Sequence, residues 1–203
     1  MFSPYKLVSM ESNFFEISSN LELAEKLALF FRDVKTRYLW YIDTSRQRMA
    51  DALKHTSIIS LRQPKPENTD SLETTEDWNQ IMLISDTKTL ITYDIFQELC
   101  RWLESAFLKS GATNVEFGRI FFSKHMKNTK IGLHTDEGAY FDYYDRFHFV
   151  IEQTDNMNIF HIRDESIELL TGKLYWVNNH VPHWLENLSD TDRINLIIDA
   201  RLN

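Results

Sequence analysis

With 203 residues, 43% of them hydrophobic and 13% aromatic, the chain has the apolar content of a globular protein with a sizeable core. Its 22 Lys plus Arg against 30 Asp plus Glu, a net charge of -8, argue against a nucleic-acid backbone or an anionic membrane surface as the main partner. A single cysteine, Cys100, excludes an intrachain disulfide framework and a Cys-rich zinc site, and it reads as a buried, inert thiol.

No run approaches eighteen uninterrupted apolar residues, and the opening MFSPYKLVSMESNFFEISSN lacks the basic start and long apolar centre of a signal peptide. A soluble, cytoplasmic protein is the expectation. Asn20 is placed to cap a helix over LELAEKLALFFRDV, in which Leu23, Leu27, Phe30 and Phe31 recur at helical spacing. A second short helix is expected from Ser45 through Leu53, then a strand over TSIISLRQ, with Ile58, Ser60 and Arg62 on one face and Ile59 and Leu61 on the other. From Pro64 to Asp77 a polar stretch with no aromatic reads as an exposed loop. YDIFQELCRWLESAFLK returns to helix, with Ile95, Leu99, Leu103 and Phe107 as its apolar stripe and Gly111 near its end. After Asn114 the period shortens to two, and seven or eight strand-like segments separated by short turns indicate an antiparallel sandwich or barrel. The expected organisation is one domain over 1–203, with 1–113 mainly helical support carrying one or two strands and an exposed loop near 64–77, and 114–203 a β core. The fold class is mainly β with N-terminal helices (α+β).

Within the β region, HTD places His134 and Asp136 two residues apart, where a strand would turn both toward one space. The pair is either half of a metal site or a chance HxD. His183, in NNHVPHWLEN, is a third candidate ligand, with His180 as its neighbour; each is alternatively a satisfied surface histidine. Two His and one Asp on a β scaffold form a facial set that leaves coordination positions open on Fe(II). Arg193 shares a strand face with Asn195, Ile197 and Asp199. It either faces a carboxylate ligand with its planar fork or pairs with Asp190 or Asp192 at the rim. Arg146 and His148 share a face of RFH, with Phe147 and Phe149 turned the other way.

Taken in order, the HxD, an RxH whose arginine lies twelve residues after His134, the distal His183, and Arg193 ten residues further on resemble the aspartyl/asparaginyl β-hydroxylase family of Fe(II)- and 2-oxoglutarate-dependent oxygenases. The resemblance covers about Asn114 to Ala200. It implies a double-stranded β-helix (jelly roll, cupin-like) core, with iron held by His134, Asp136 and His183. It also implies 2-oxoglutarate held by Ser123, which stands eleven residues before His134, together with His148 and Arg193. Arg146 is implied to lie near the substrate. The implied reaction consumes O2, splits 2-oxoglutarate to succinate and CO2, and hydroxylates a C–H bond of an amino acid, free or within a peptide. The best-known animal members have glycine where Asp136 stands, and a further arginine where Tyr144 stands. The full triad favours hydroxylation over halogenation, and the missing arginine puts specificity for Asp or Asn residues in question.

Between the two motifs, GAYFDYYD reads as a lid whose rings, Tyr140 and Tyr144 among them, stack on the substrate, or as a cap on the barrel end. Glu137, Asp142 and Asp145 point to a basic or amine-bearing substrate or to a solvated loop. Two other readings stay open: a cupin-like metal enzyme of another class, such as a hydrolase or isomerase, and a non-catalytic binding module. Nothing in the sequence sets the oligomeric state.

Overall fold

A computed structural model describes residues 12–41, 53–62 and 94–203. The loop expected from Pro64 to Asp77, and all but the last residue of the helix expected from Ser45 to Leu53, lie outside the described residues. The first described element is a strand, β1 (Phe14–Ser19), at a position the sequence reading did not mark. Helix α1 (Leu21–Arg32) begins where its cap predicts: the Asn20 side chain accepts the Leu23 N–H at 3.0 Å, satisfying a donor that the first helical turn leaves orphaned. A 3-10 turn (Arg37–Tyr41), β2 (Thr56–Arg62) and α2 (Asp94–Lys109) follow.

Helix α2 buries Phe96, Leu99, Leu103, Ala106 and Phe107, so its stripe includes Phe96 where Ile95 was expected; Ile95 is only partly buried. Cys100 is exposed, which corrects the expectation of a buried thiol. It stands about 100° round the helix from Leu99 and so leaves the apolar stripe. Gly111 closes the helix at φ 108°, a left-handed conformation that glycine adopts without steric cost.

Beyond Asn114 the chain is β apart from one short helix. In order come β3 (Val115–His125), β4 (Thr129–His134), α3 (Ala139–Tyr143), β5 (Asp145–Glu152), β6 (Asn158–Ile162), β7 (Glu165–Ile167), β8 (Lys173–Val177), β9 (His183–Asn187) and β10 (Arg193–Leu202). They form two antiparallel sheets, a larger one ordered β1-β8-β5-β10-β3-β2 and a smaller one ordered β4-β9-β6-β7. This is the double-stranded β-helix core with helical support expected for the chain.

The larger sheet is covered on both faces, and the two-residue period decides which side chain goes to which layer. Toward the helices point Phe122 of β3, Phe147 and Phe149 of β5, Leu174 and Trp176 of β8, and Leu196 and Ile198 of β10; they share one core with Leu23, Leu27 and Phe31 of α1 and with Phe96, Leu99 and Phe107 of α2. Toward the smaller sheet point the alternate residues. Val150, Tyr175 and Val177 meet Phe160, Ile162 and Leu185 in a second, smaller core. The polar members of the same inner rows, Ser123, His125, Arg146, His148, Arg193, Asn195 and Asp199, are buried between the sheets. Among the described residues no helix is long and apolar enough to cross a membrane.

Phe122 joins the helical and sheet layers, with its ring edge-on to Phe31 at 4.7 Å and to Phe96 at 5.7 Å between centroids. Phe122→Ala is expected to cost about 3–5 kcal/mol, transfer and cavity terms together, measured as a lowered denaturation midpoint in urea.

Candidate metal centre and the cavity behind it

Strand β4 ends at His134, and its pairing with β9 shifts register after Ile131 so that His134 comes opposite His183. The two imidazoles lie 4.3 Å apart between centroids. His134 Nδ1 is 2.7 Å from the Gly132 carbonyl oxygen, and His183 Nδ1 is 2.9 Å from that of Val181. A carbonyl only accepts, so both Nδ1 atoms carry the proton and both Nε2 atoms keep a lone pair. Such backbone tethers fix the tautomer and the ring direction that a metal ligand needs. Burial lowers the His183 pKa to about 4 and keeps that ring neutral.

Asp136 lies two residues beyond the end of β4, which corrects the picture of His134 and Asp136 side by side on a strand. It is positioned from across the site instead. Its N–H donates to the Asn179 carbonyl at 3.0 Å, while its Oδ2 accepts from Asn179 Nδ2 at 3.2 Å and from Arg146 Nη1. Both side-chain bonds fall on Oδ2, leaving Oδ1 for an ion. Burial is the largest influence on this carboxyl and pushes its pKa up, but Arg146, His183, the Asn179 amide and His134 together outweigh it and hold it at about 2. One ligand atom from each of His134, Asp136 and His183 lies within 4.8 Å of the others. Among the described residues no fourth His, Cys, Asp or Glu joins the group, so it suits an ion that keeps open positions, such as Fe(II), better than a closed structural zinc.

Arg146 bridges two carboxylates. Its Nε donates to Asp199 Oδ1 at 2.8 Å and its Nη2 to Asp199 Oδ2 at 3.1 Å, the parallel two-point geometry that suits a guanidinium, while Nη1 reaches Asp136. Asp199 Oδ2 also accepts from Arg119 Nε and from the Tyr140 hydroxyl, each at 3.1 Å.

A cavity runs between the sheets from the His134–His183 pair to Arg193; Ser123, His125, His148 and Asn195 line its polar wall, and Ile131, Phe160 and Leu185 its apolar one. His148 Nδ1 is 2.7 Å from Asn195 Nδ2 and accepts from that amide, so its Nε2–H is the donor. Burial, Arg193 and Arg146 drive its pKa well below the ordinary value. Arg193 is 3% exposed, and its Nε donates to Gln153 Oε1 at 3.0 Å. Among the described residues no carboxylate lies within ion-pair distance of it, and burial lowers its pKa to about 10 against the weaker support of Glu168. The rim pairing with Asp192 is not formed; the Asp192 carboxylate instead accepts the Lys127 N–H at 3.0 Å.

The sequence profile of the aspartyl/asparaginyl beta-hydroxylase family matches residues 45–202, most of the chain. The chain belongs to that family. It is accordingly an oxygenase of the hydroxylase type, in a class that uses iron(II), 2-oxoglutarate and O2. No curated protein sequence matches the chain. Among solved structures, a prolyl-4-hydroxylase from Pseudomonas putida superposes with a TM-score of 0.53 over 98% of this chain and 96% of its own, at 12% identity. A non-heme monooxygenase, ThoJ, solved as a nickel complex, gives 0.51 over 94% of this chain and 74% of its own, at 14% identity. At these identities the likeness is one of fold.

In this family member the residues between the two motifs include the short helix α3. Tyr140, in that helix, and Tyr144, its C-terminal cap, are buried at 1% and 4% exposure and are not among the residues that line the cavity. The Tyr140 hydroxyl accepts the Arg119 N–H at 2.7 Å and donates to Asp199; the Tyr144 hydroxyl donates to Glu116 Oε1 at 2.9 Å. The close approach of Tyr140 depends on Gly118, where a Cβ would lie 2.6 Å from that hydroxyl. Arg146, which also lines the cavity, spends three of its N–H groups on two carboxylates, Asp136 and Asp199. Of the acids, Asp145 accepts from Trp176 Nε1 at 3.1 Å, while Glu137 and Asp142 are exposed. His180 is exposed, 3.9 Å from Asp142. Asn179 and Gln153 were not foreseen; each meets its partner across a distance in sequence that no local pattern reveals.

Asp199→Asn keeps the shape but removes the charge that orients Arg146. The expected result is roughly ten- to hundredfold weaker Mn(II) binding at the triad by calorimetry, the usual cost of losing a residue that supports a ligand, with far-UV circular dichroism unchanged.

Proposed function

We propose that the protein hydroxylates a C–H bond of an amino acid, free or peptide-linked, with His134, Asp136 and His183 holding Fe(II) and with Ser123, His148 and Arg193 holding 2-oxoglutarate. One observation carries the reading: one cavity joins a cluster of unfilled donor atoms at one end to a buried guanidinium that has no carboxylate partner among the described residues at the other. A dicarboxylate that chelates a metal by its 2-oxo acid end and meets Arg193 by its far end satisfies both. When bound, iron and 2-oxoglutarate supply the oxidising chemistry, in which O2, 2-oxoglutarate and a C–H bond give an alcohol, succinate and CO2, with one oxygen atom in the alcohol and one in succinate.

The chain's own contribution is binding, orientation and exclusion of water. The Nδ1 tethers of His134 and His183 hold their lone pairs toward the shared space. Arg146 and Asn179 occupy Oδ2 of Asp136, which directs the metal to Oδ1. His148 offers an N–H and Ser123 a hydroxyl along the cavity wall, and Arg193 provides the two-point grip at its end. Phe160, whose ring stacks on His183 at 5.8 Å, belongs to the apolar side that lowers the local dielectric and strengthens these contacts. Substrate choice is assigned to the segment that follows Asp136, where Glu137 and Asp142 are exposed and their negative charge suits a basic or amine-bearing substrate.

Anaerobic reconstitution with Fe(II) and 2-oxoglutarate followed by exposure to air is expected to release succinate. In Asp136→Ala the yield should fall by at least the roughly hundredfold that loss of a supporting residue can cost a metal site. Absence of succinate above background from the wild-type protein, across pools of amino acids and peptides, overturns the reading. Mass spectrometry of those pools should find the gain of one oxygen preferentially on substrates with a basic side chain, and equal gain on acidic and basic candidates removes the role of Glu137 and Asp142.

A further inference from the structure

The far end of the cavity contains one more polar group whose hydrogen bonding is incomplete. His125 ends β3, is 2% exposed and pairs in register with Arg193 of β10. Its Nε2 is 3.0 Å from Thr129 Oγ1, and the Thr129 hydroxyl donates its own hydrogen to the Met126 carbonyl at 2.6 Å. The threonine oxygen therefore accepts, and His125 Nε2 carries the proton. Nδ1 is left as a bare lone pair, buried, with no partner among the described residues; Asn195 Oδ1 on the same wall is in the same condition. Burial, Arg193 and His55 lower the His125 pKa to about 3, so the ring is neutral.

Two acceptors without a donor among the described residues, on the wall of a cavity that also holds a guanidinium bonded to Gln153 and to no carboxylate among them, make an incomplete site, since buried acceptors normally have a donor. A carboxylate answers the guanidinium but brings only further acceptors, which His125 Nδ1 repels in its present tautomer. The conflict is removed if the Thr129 hydroxyl turns from Met126 to donate to Nε2. The imidazole proton then moves from Nε2 to Nδ1, with no net proton gained.

We propose that His125 is a further binding residue for the distal carboxylate of the dicarboxylate cosubstrate, changing from its Nε2–H to its Nδ1–H tautomer on binding so that Nδ1–H and Arg193 grip the carboxylate together. The proposal rests on the cosubstrate reading given above. It concerns the carboxylate end, at Arg193 with which His125 pairs in register, and not the 2-oxo acid end.

The test uses the full chain loaded with Zn(II), a diamagnetic stand-in for iron. Imidazole nitrogen–proton correlation spectra of protein labelled with ¹⁵N-histidine, assigned by the signals lost in His125→Gln, should show the Nε2–H pattern without ligand and the Nδ1–H pattern at saturating 2-oxoglutarate. By calorimetry, His125→Phe should bind 2-oxoglutarate about ten- to hundredfold more weakly, the loss expected for one hydrogen bond to a charged group. Pyruvate, a 2-oxo acid without the distal carboxylate, should bind the variant and the wild type alike, and His125→Gln, whose amide can donate, should recover most of the affinity for 2-oxoglutarate. An unchanged tautomer, unchanged 2-oxoglutarate affinity in His125→Phe, or an equal loss for pyruvate overturns the proposal and leaves the cosubstrate reading standing. Failure of the wild-type protein to bind 2-oxoglutarate overturns both.

Discussion

Asp199 is a carboxylate at 1% exposure in the middle of a two-sided sheet, and the arrangement of the site follows from how its charge is met. A buried carboxylate is tolerable only when opposite charge and hydrogen bonds surround it. Here Arg146 meets it with two nitrogens, Arg119 with one, and Tyr140 with its hydroxyl. Each of those bonds does something further. Arg146, with Nε and Nη2 committed, has Nη1 directed at Asp136, and so the ligand arm that lies beyond the end of β4 acquires a definite direction. Tyr140, committed to Asp199, holds α3 against β3, where only the glycine at 118 leaves room. The guanidinium carbons of Arg119 and Arg146 then lie 5.1 and 5.0 Å from the centroid of the Phe141 ring, a cation–π arrangement that fastens the helix a second time.

A polar row of this kind can persist inside the protein because the opposite face of the same strands is largely apolar. In β5, Phe147, Phe149 and Ile151 belong to the core shared with α1 and α2, while Arg146 and His148 face the cavity. In β10, Ile194, Leu196 and Ile198 do the same for Arg193, Asn195 and Asp199. The helices thus supply the hydrophobic burial that the inner face, given over to charged and polar groups, cannot supply alone. The cavity is correspondingly uneven. Its metal end is ordered by tethered imidazoles and a clamped carboxylate, and its Arg193 end retains a cation without a carboxylate and two acceptors without a donor among the described residues.

Much of this was legible along the chain because it depends on short-range periodicity. Alternation placed Arg146 with His148 and Arg193 with Asn195 and Asp199 on common faces, and the cap at Asn20 marked the start of α1 to the residue. The limits were equally physical. The stripe of α2 includes Phe96 where Ile95 was expected, since apolar residues at both positions fit a helical period and the facing sheet chooses between them. Cys100 fell on the exposed side for the same reason. Tyr140 and Tyr144 read as part of a lid or of a cap on the barrel end, and their partners, Asp199 and Glu116, could not be read locally because they lie 59 and 28 residues away. His125 carries no motif; its significance comes from the threonine four residues on and from Arg193 on the neighbouring strand.

By itself the sequence determined which residue types face which side of each strand, the order of the His, Asp and Arg positions, and the family to which that order belongs, because these depend on periods of two and 3.6 and on spacing along one chain. The tertiary structure alone decided that Asp136 is aimed by Asn179 and Arg146 rather than by its strand, that Arg146 bridges two carboxylates, and that Tyr140 and Tyr144 are buried. The reason lies in the pairing of distant groups. A buried charge takes the direction of its nearest counter-charge, and which counter-charge is nearest is settled only when the sheets have closed around it.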